Sequence, residues 1–98
     1  MTIQQNKENS KLTVALAGSL DTATAPQLES ELTPNLDGVQ ELILDCAELD
    51  YVSSAGLRVI LGLQQIMENQ GTMKLTHVND SIMEVFDITG FLAILTVE

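Results

Sequence analysis

The sequence predicts one α/β domain over residues 1–98, built on a mixed, mostly parallel sheet of about five strands with three to four helices. Three observations carry this. With 98 residues, 45% of them hydrophobic and 18% charged, the chain has material for one core, and a domain of this size buries roughly 60–65% of its unfolded surface. Apolar residues recur with a period of two in some segments and of 3.6 in others. The two patterns alternate along the chain, which implies parallel strands joined by right-handed helical crossovers.

Thr2 to Gln5 reads as a short strand, followed by a polar turn through Asn6, Lys7, Glu8, Asn9 and Ser10. From Lys11 to Gly18, Leu12, Val14 and Leu16 alternate with Thr13, Ala15 and Ala17, the signature of a half-buried strand. Thr24 and Gln27 have capping-box spacing, with Pro26 tolerated in the first turn of a helix whose stripe is Ala25, Leu28, Leu32 and Leu36. Pro34, Asn35, Asp37 and Gly38 end it. Val39 to about Cys46 is a short apolar run of the kind found in a central strand covered on both faces. A loop through Glu48, Leu49, Asp50 and Tyr51 leads to Ser53 and Ser54, either of which can cap a long helix reaching Gln70 and stopped by Gly71. Thr72 to His77 alternates as a strand. Asn79 or Ser81 opens a third helix, with Ile82, Val85 and Phe86 inward and Gly90 beyond its end, and Ala93 to Val97 closes the chain as a β-branched strand.

Charge and composition narrow the function. Four basic against fourteen acidic side chains give a net charge of −10, which offers no footprint for phosphate backbones or anionic lipid, so nucleic acid is not expected as a partner. Tyr51, Phe86 and Phe91 are the only aromatics, too few for base-stacking platforms. The single Cys46 cannot form an internal disulfide, and the opening run from Met1 to Ser10 is polar, so a cytoplasmic protein without membrane insertion is expected. One His and one Cys leave no basis for an all-protein zinc site, and no Gly-rich phosphate loop is present, so no metal and no cofactor are expected.

The long helix rewards a wheel projection. Ala55, Val59, Ile60, Leu63, Ile66 and Met67 fall on one broad arc; Ser54, Arg58, Gly62, Gln65 and Asn69 fall opposite. Leu61 lies inside the polar arc, where an exposed leucine suggests a docking surface and is also an ordinary surface leucine. Ser54 likewise has two readings. As an N-cap its hydroxyl contributes on the order of 1 kcal/mol. As a phosphorylation site it would receive about −1.5 to −2 charges beside the positive helix end, which the fold tolerates.

The segment Asp45 to Leu61, DCAELDYVSSAGLRVIL, resembles the signature of STAS domains, in particular the bacterial anti-sigma-factor antagonists. Gly18 to Asp21 followed by Thr24, Ala25, Pro26 and Leu28 resembles a second family block, and Val78 to Leu92 with its Thr89, Gly90, Phe91 turn a third, so nearly the whole chain is covered. The resemblance implies a compact α/β sheet domain with a switch serine at the start of its second long helix. That serine is phosphorylated with ATP by a partner serine kinase that is also the anti-sigma factor. A PP2C-type phosphatase reverses the step. The unphosphorylated form captures the kinase and frees a sigma factor. The acceptor maps onto Ser54, with Ser53 as the alternative, and Asp21 matches an acidic residue near it. Where the family segment usually reads Asp-Ser-Ser/Thr-Gly-Leu-Gly, Ser53 replaces the Asp and Arg58 the second Gly. The expected partner surface is Asp21, Ser53, Ser54, Arg58 and Leu61, on a regulatory binding protein that is not an enzyme and acts as a monomer.

Other chemistry has less support. A serine hydrolase needs a His within reach of Ser54, and the only one, His77, is expected on a strand, partly buried. Cys46 ends an apolar strand with no basic neighbour and reads as core. Asp21, Asp45 and Asp50 read as solvated loop carboxylates, and Met67, Met73 and Met83 as core filler. The second functional reading is a STAS-like module serving as a constitutive scaffold, such as a small accessory subunit of a lipid-transport ATPase. Phosphate on Ser54 discriminates between the two.

Overall fold

In the computed structural model, which describes residues 1–98, the sheet has four strands: β1 (Thr2–Glu8), β2 (Lys11–Leu20), β3 (Glu41–Val52) and β4 (Thr72–Thr76). They lie in the order β1-β2-β3-β4, with β1 antiparallel to β2 and the other pairs parallel. Two helices connect the parallel strands, α1 (Ala25–Leu32) between β2 and β3 and α2 (Ser54–Glu68) between β3 and β4, and a third, α3 (Asp80–Ile88), follows β4. The mixed, mostly parallel α/β architecture is the one the alternating periodicities predict. No helix is long and apolar enough to cross a membrane.

The period of two decides which face of the sheet is covered. Leu12, Val14 and Leu16 of β2, Leu42, Leu44 and Cys46 of β3, and Met73 and Leu75 of β4 are all buried. They share one core with Leu28 and Leu32 of α1, Ile60, Leu63 and Met67 of α2, and Ile82 and Phe86 of α3. No polar or charged residue is buried, so polar chemistry is confined to the surface. The opposite face, with Thr13, Ala15, Ala17, Ile43 and Asp45, is only half-buried. This corrects the expectation that β3 is covered on both faces: β3 is central, but on its second face Ile43 lies between Thr13 and Lys74 and stays half-buried.

Several boundaries differ from expectation. β1 runs to Glu8 because its partner is backbone, paired residue by residue from Thr2 with Ala17 to Glu8 with Lys11, and Asn9 makes the turn at φ +55. Such a strand carries no side-chain periodicity. β3 absorbs the loop expected at Glu48 to Tyr51, since register shifts let it follow β2 as far as the Leu20–Val52 pair. The expected strand Ala93 to Val97 is instead a 3₁₀ turn (Phe91–Ala93) and a single bridge of Val97 to Leu75. There the Leu75 N–H donates to the Thr96 carbonyl and the Glu98 N–H to that of Leu75, at 2.9 and 2.8 Å. A left-handed Gly90 (φ +81) sets that turn, and only Leu95 of Ala93 to Leu95 is buried, so β-branching there has no sheet to join. Gly71 closes the α2–β4 connection because a Cβ there would overlap the Gln40 carbonyl.

Candidate functional site

The site is assembled at the junction of β3 and α2. Ser53 has extended backbone (φ −89, ψ 176), and its Oγ accepts the N–H of Gly56 at 3.3 Å. Ser53 is therefore the N-cap, and Ser54 is the first residue of the helix. That corrects the reading of Ser54 as a cap. One serine satisfies the helix end, and the other, exposed, is left without a structural task.

The same junction docks onto β2. The Ser53 N–H donates to the Leu20 carbonyl at 2.8 Å, extending the ladder by one bond. At Gly56 a Cβ would stand 2.7 Å from Leu20 Cγ and 2.8 Å from Leu20 O, so the first turn of α2 comes this close to β2 because the residue is glycine. Asp21, which follows Leu20, is thereby held beside the start of α2.

Asp21 is occupied locally. Its Oδ1 accepts the N–H groups of Ala23 and Thr24, each at 3.0 Å. The Thr24 hydroxyl accepts the Asp21 N–H at 2.8 Å and donates to the Ser19 carbonyl at 2.7 Å. The bond from the Thr24 N–H, opposed by partial desolvation and aided by the Thr24 hydroxyl and the Ala23 N–H, holds the Asp21 carboxyl below the usual value of 3.8. The expected Thr24–Gln27 capping box does not form: Thr24 has helical backbone and no side-chain cap bond. The Thr24 hydroxyl is instead engaged by the Asp21 N–H and the Ser19 carbonyl, and Asp21 Oδ1 takes the Thr24 N–H that the Gln27 side chain would accept in a capping box. Thr24, absent from the expected site, is thus what orients Asp21, and the Asp21/Thr24 spacing of three was the signal for it.

Ser54, Arg58 and Leu61 follow on successive turns of α2. Arg58 is exposed and no carboxylate lies within 4 Å of it, the ion pairs being Lys74 with Glu41 and Glu98, and His77 with Asp45. Leu61 is half-buried rather than exposed. Beside Arg58 a hollow of about 300 Å³ separates α2 from α1, with Thr22, Pro26, Glu29 and Ala55 around it. It continues along the seam into a groove of about 440 Å³ whose α2 side is Val59, Gly62, Leu63 and Ile66. Ala55, Val59 and Ile66, expected on the inward face, are accordingly only half-buried, and Gly56 and Leu57 are buried in their place. Glu29 lies in both hollows, a neighbour of Arg58 that sequence periodicity does not reveal because it comes from α1.

The remaining candidates lie elsewhere. His77 sits just beyond β4 at φ +57, exposed, with Nδ1 2.9 Å from Asp45 Oδ1. It is not a partly buried strand residue, and its ring partner is Asp45, not Ser54. That contact, with the Ala47 N–H, lowers the Asp45 carboxyl from its usual range. Asp45 is thus paired rather than simply solvated, whereas Asp50 is exposed. Cys46 is buried, and desolvation, reinforced by the Asp45 charge, pushes its thiol up to about 12, in keeping with core and not with a nucleophile. The third helix opens at Asn79, whose Oδ1 accepts the Ile82 N–H at 2.9 Å while its Nδ2 donates to the Leu49 carbonyl at 3.0 Å.

Comparison with known proteins covers the chain from end to end. Residues 1–98 match the family model described as the STAS domain. The chain is 40% identical over 99 residues to BtrV of Bordetella bronchiseptica, which carries the name of an anti-sigma factor antagonist, covering 99% of this chain and 85% of that protein. It is 29% identical over 96 residues to the anti-sigma-B factor antagonist of Bacillus subtilis, covering 97% of this chain and 86% of that one. Among solved structures, the Bacillus cell fate determinant SpoIIAA in its phosphorylated form superimposes with a TM-score of 0.77 at 19% identity, over 99% of this chain and 91% of that one.

Proposed function

This chain belongs to the STAS domain family, and from that premise we propose that it is an anti-sigma-factor antagonist switched by phosphorylation of Ser54. The unphosphorylated form binds an anti-sigma factor through the rim of Asp21, Ser53, Ser54, Arg58 and Leu61 and so releases a sigma factor. The anti-sigma factor is itself the serine kinase. The γ-phosphoryl group of ATP passes to Ser54 Oγ, the bond to the ADP oxygen breaks, and the hydroxyl proton is lost. A PP2C-type phosphatase hydrolyses the phosphoester and restores the hydroxyl. The protein acts in the cytoplasm as a monomer, by binding rather than by catalysis.

The observation that carries this reading is the division of labour between two adjacent serines. Ser53 caps α2, so Ser54 is free and exposed at its first position. Added charge there meets the positive end of the helix dipole, so the phosphate acts on partners by repulsion and bulk and leaves the fold intact. The relatives named as anti-sigma factor antagonists support this reading over the transporter scaffold.

The test begins with tandem mass spectrometry of tagged protein from its own cells, with co-purifying proteins identified in the same run. Phosphate on Ser54 that varies with growth condition, together with an ATP-binding kinase, is expected. With that kinase purified, Ser54→Asp binds weakly and Ser54→Ala binds well but cannot be turned off. Wild-type affinity in both variants would refute the switch.

A further inference from the structure

Arg58 is the only basic residue on any of the three helices; Lys7, Lys11 and Lys74 lie on strands β1, β2 and β4. Lys74 is already shared between Glu41 and Glu98, at 4.0 and 3.8 Å. Arg58 has no ion-pair partner, although the chain carries fourteen carboxylates from its Asp and Glu side chains. It stands one helical turn after Ser54, a spacing that sets Cβ atoms about 5–6 Å apart and favours the acidic group on the N-terminal side. Both residues are exposed, so neither side chain is held away from the other by packing.

We infer that Arg58 is an internal receptor for the Ser54 phosphate, its guanidinium closing over the phosphoryl oxygens as a bidentate pair. The inference rests on the proposed function and deepens it by naming how the modified state is held. A phosphate suits the site better than any carboxylate the chain offers. It presents three acceptor oxygens and up to two charges to a planar fork of donors. The acidic groups on the elements packed here are Glu29 of α1, which lines the same hollow as Arg58, and Asp21 of the β2–α1 turn, next in sequence to Thr22 of that hollow. Glu29 is not within ion-pair distance, and Asp21 spends Oδ1 on Ala23 and Thr24. Neither therefore competes strongly with a dianion one turn away. Phosphorylation then changes the rim twice: an anion appears, and the one helical cation is withdrawn from any partner.

The test uses full-length protein carrying phosphoserine introduced at position 54 during translation, so that no kinase is needed, with Arg58, Arg58→Gln or Arg58→Lys. Phosphorus NMR followed from about pH 4.5 to about 8 reads the second ionisation of the phosphate, ordinarily near 6. The backbone around Ser54 is common to all three proteins, so their differences report the side chain alone. Arg58 is expected to lower this ionisation by about half a unit relative to Arg58→Gln, with Arg58→Lys between them. The gap is expected to close at about 1 M salt, where the screening length falls to ~3 Å. Superimposed titrations for Arg58 and Arg58→Gln would overturn the inference. Partner affinity, measured on the same proteins, separates the two levels. If the titrations differ but the phosphate leaves affinity unchanged, the clamp stands and the switch reading fails. If the phosphate abolishes binding and the titrations coincide, the switch stands and the clamp is refuted.

Discussion

The same substitution at two glycines of α2 should move stability in opposite directions. Gly62 lies in the helix interior, and a Cβ built on it meets nothing within 4 Å because it projects into the α1–α2 groove. Gly62→Ala therefore collects the helix-propensity gain without a packing cost, about 0.5–1 kcal/mol. For a domain of this size that is a rise in Tm of roughly 2–8 °C. At Gly56 the new Cβ would stand 2.7 Å from Leu20 Cγ and 2.8 Å from Leu20 O, about 1 Å inside ordinary carbon contact. The obstacle includes backbone: Leu20 O is held by the Ser53 N–H at 2.8 Å, and the Leu20 side chain is fully buried. Relief requires moving the first turn of α2 off β2, an overpacking cost of about 1–3 kcal/mol against at most ~1 kcal/mol of propensity. A net loss of up to about 2 kcal/mol, or a fall of up to roughly 16 °C in Tm, is expected for Gly56→Ala. Scanning calorimetry reads both shifts, and urea titrations with unchanged slope establish that stability changed without a change in the surface exposed on unfolding. A rise in Tm for both variants would show that helix propensity, not the approach to Leu20, governs these positions.

The two serines should separate in the same assay, Ser53→Ala losing about 1 kcal/mol for its cap while Ser54→Ala stays within about 0.5 kcal/mol of wild type. Asn79→Ala removes both a helix cap and a tether to the Leu49 carbonyl, and about 2 kcal/mol is expected, whereas Asn79→Asp keeps the cap and loses about half as much. Wild-type stability in Asn79→Asp would show that the Leu49 tether contributes nothing, and equal losses in the two variants would show that the cap contributes nothing. Because the Cys46 thiol is raised from its ordinary 9.0 to about 12, the folded state holds that proton more tightly than the unfolded chain does. Its contribution is complete below pH 9 and is lost as pH climbs toward 12, and Cys46→Ala should flatten that alkaline decline. Native protein should also resist thiol reagents at neutral pH, reacting only as fast as the core opens; immediate labelling would contradict this.

Each of these effects traces to a boundary between what is written locally and what is not. The alternation of Leu12, Val14 and Leu16, and the apolar spacing of Ile60, Leu63 and Met67, predicted β2 and α2 because burial of one face imposes its period on the residues themselves. The start of α2 was legible to within one residue for the same local reason, since a cap is a bond between neighbours. Fold class, apolar core and the position of Ser54 and Arg58 on one helix were therefore properties of the sequence alone. Which serine caps was not, because Ser53 and Ser54 have the same chemistry and the choice is made by the Ser53 N–H pairing with Leu20 from another strand. β1, polar apart from Ile3, and the bridge at Val97 are held by backbone bonds to β2 and β4, which leave no mark on side-chain pattern. The Asp45–His77 pair, the occupation of Asp21 by Thr24, and Glu29 beside Arg58 likewise required tertiary structure. A local sequence specifies the groups available and the period they follow. The distance between groups from different elements is set only when the whole chain packs.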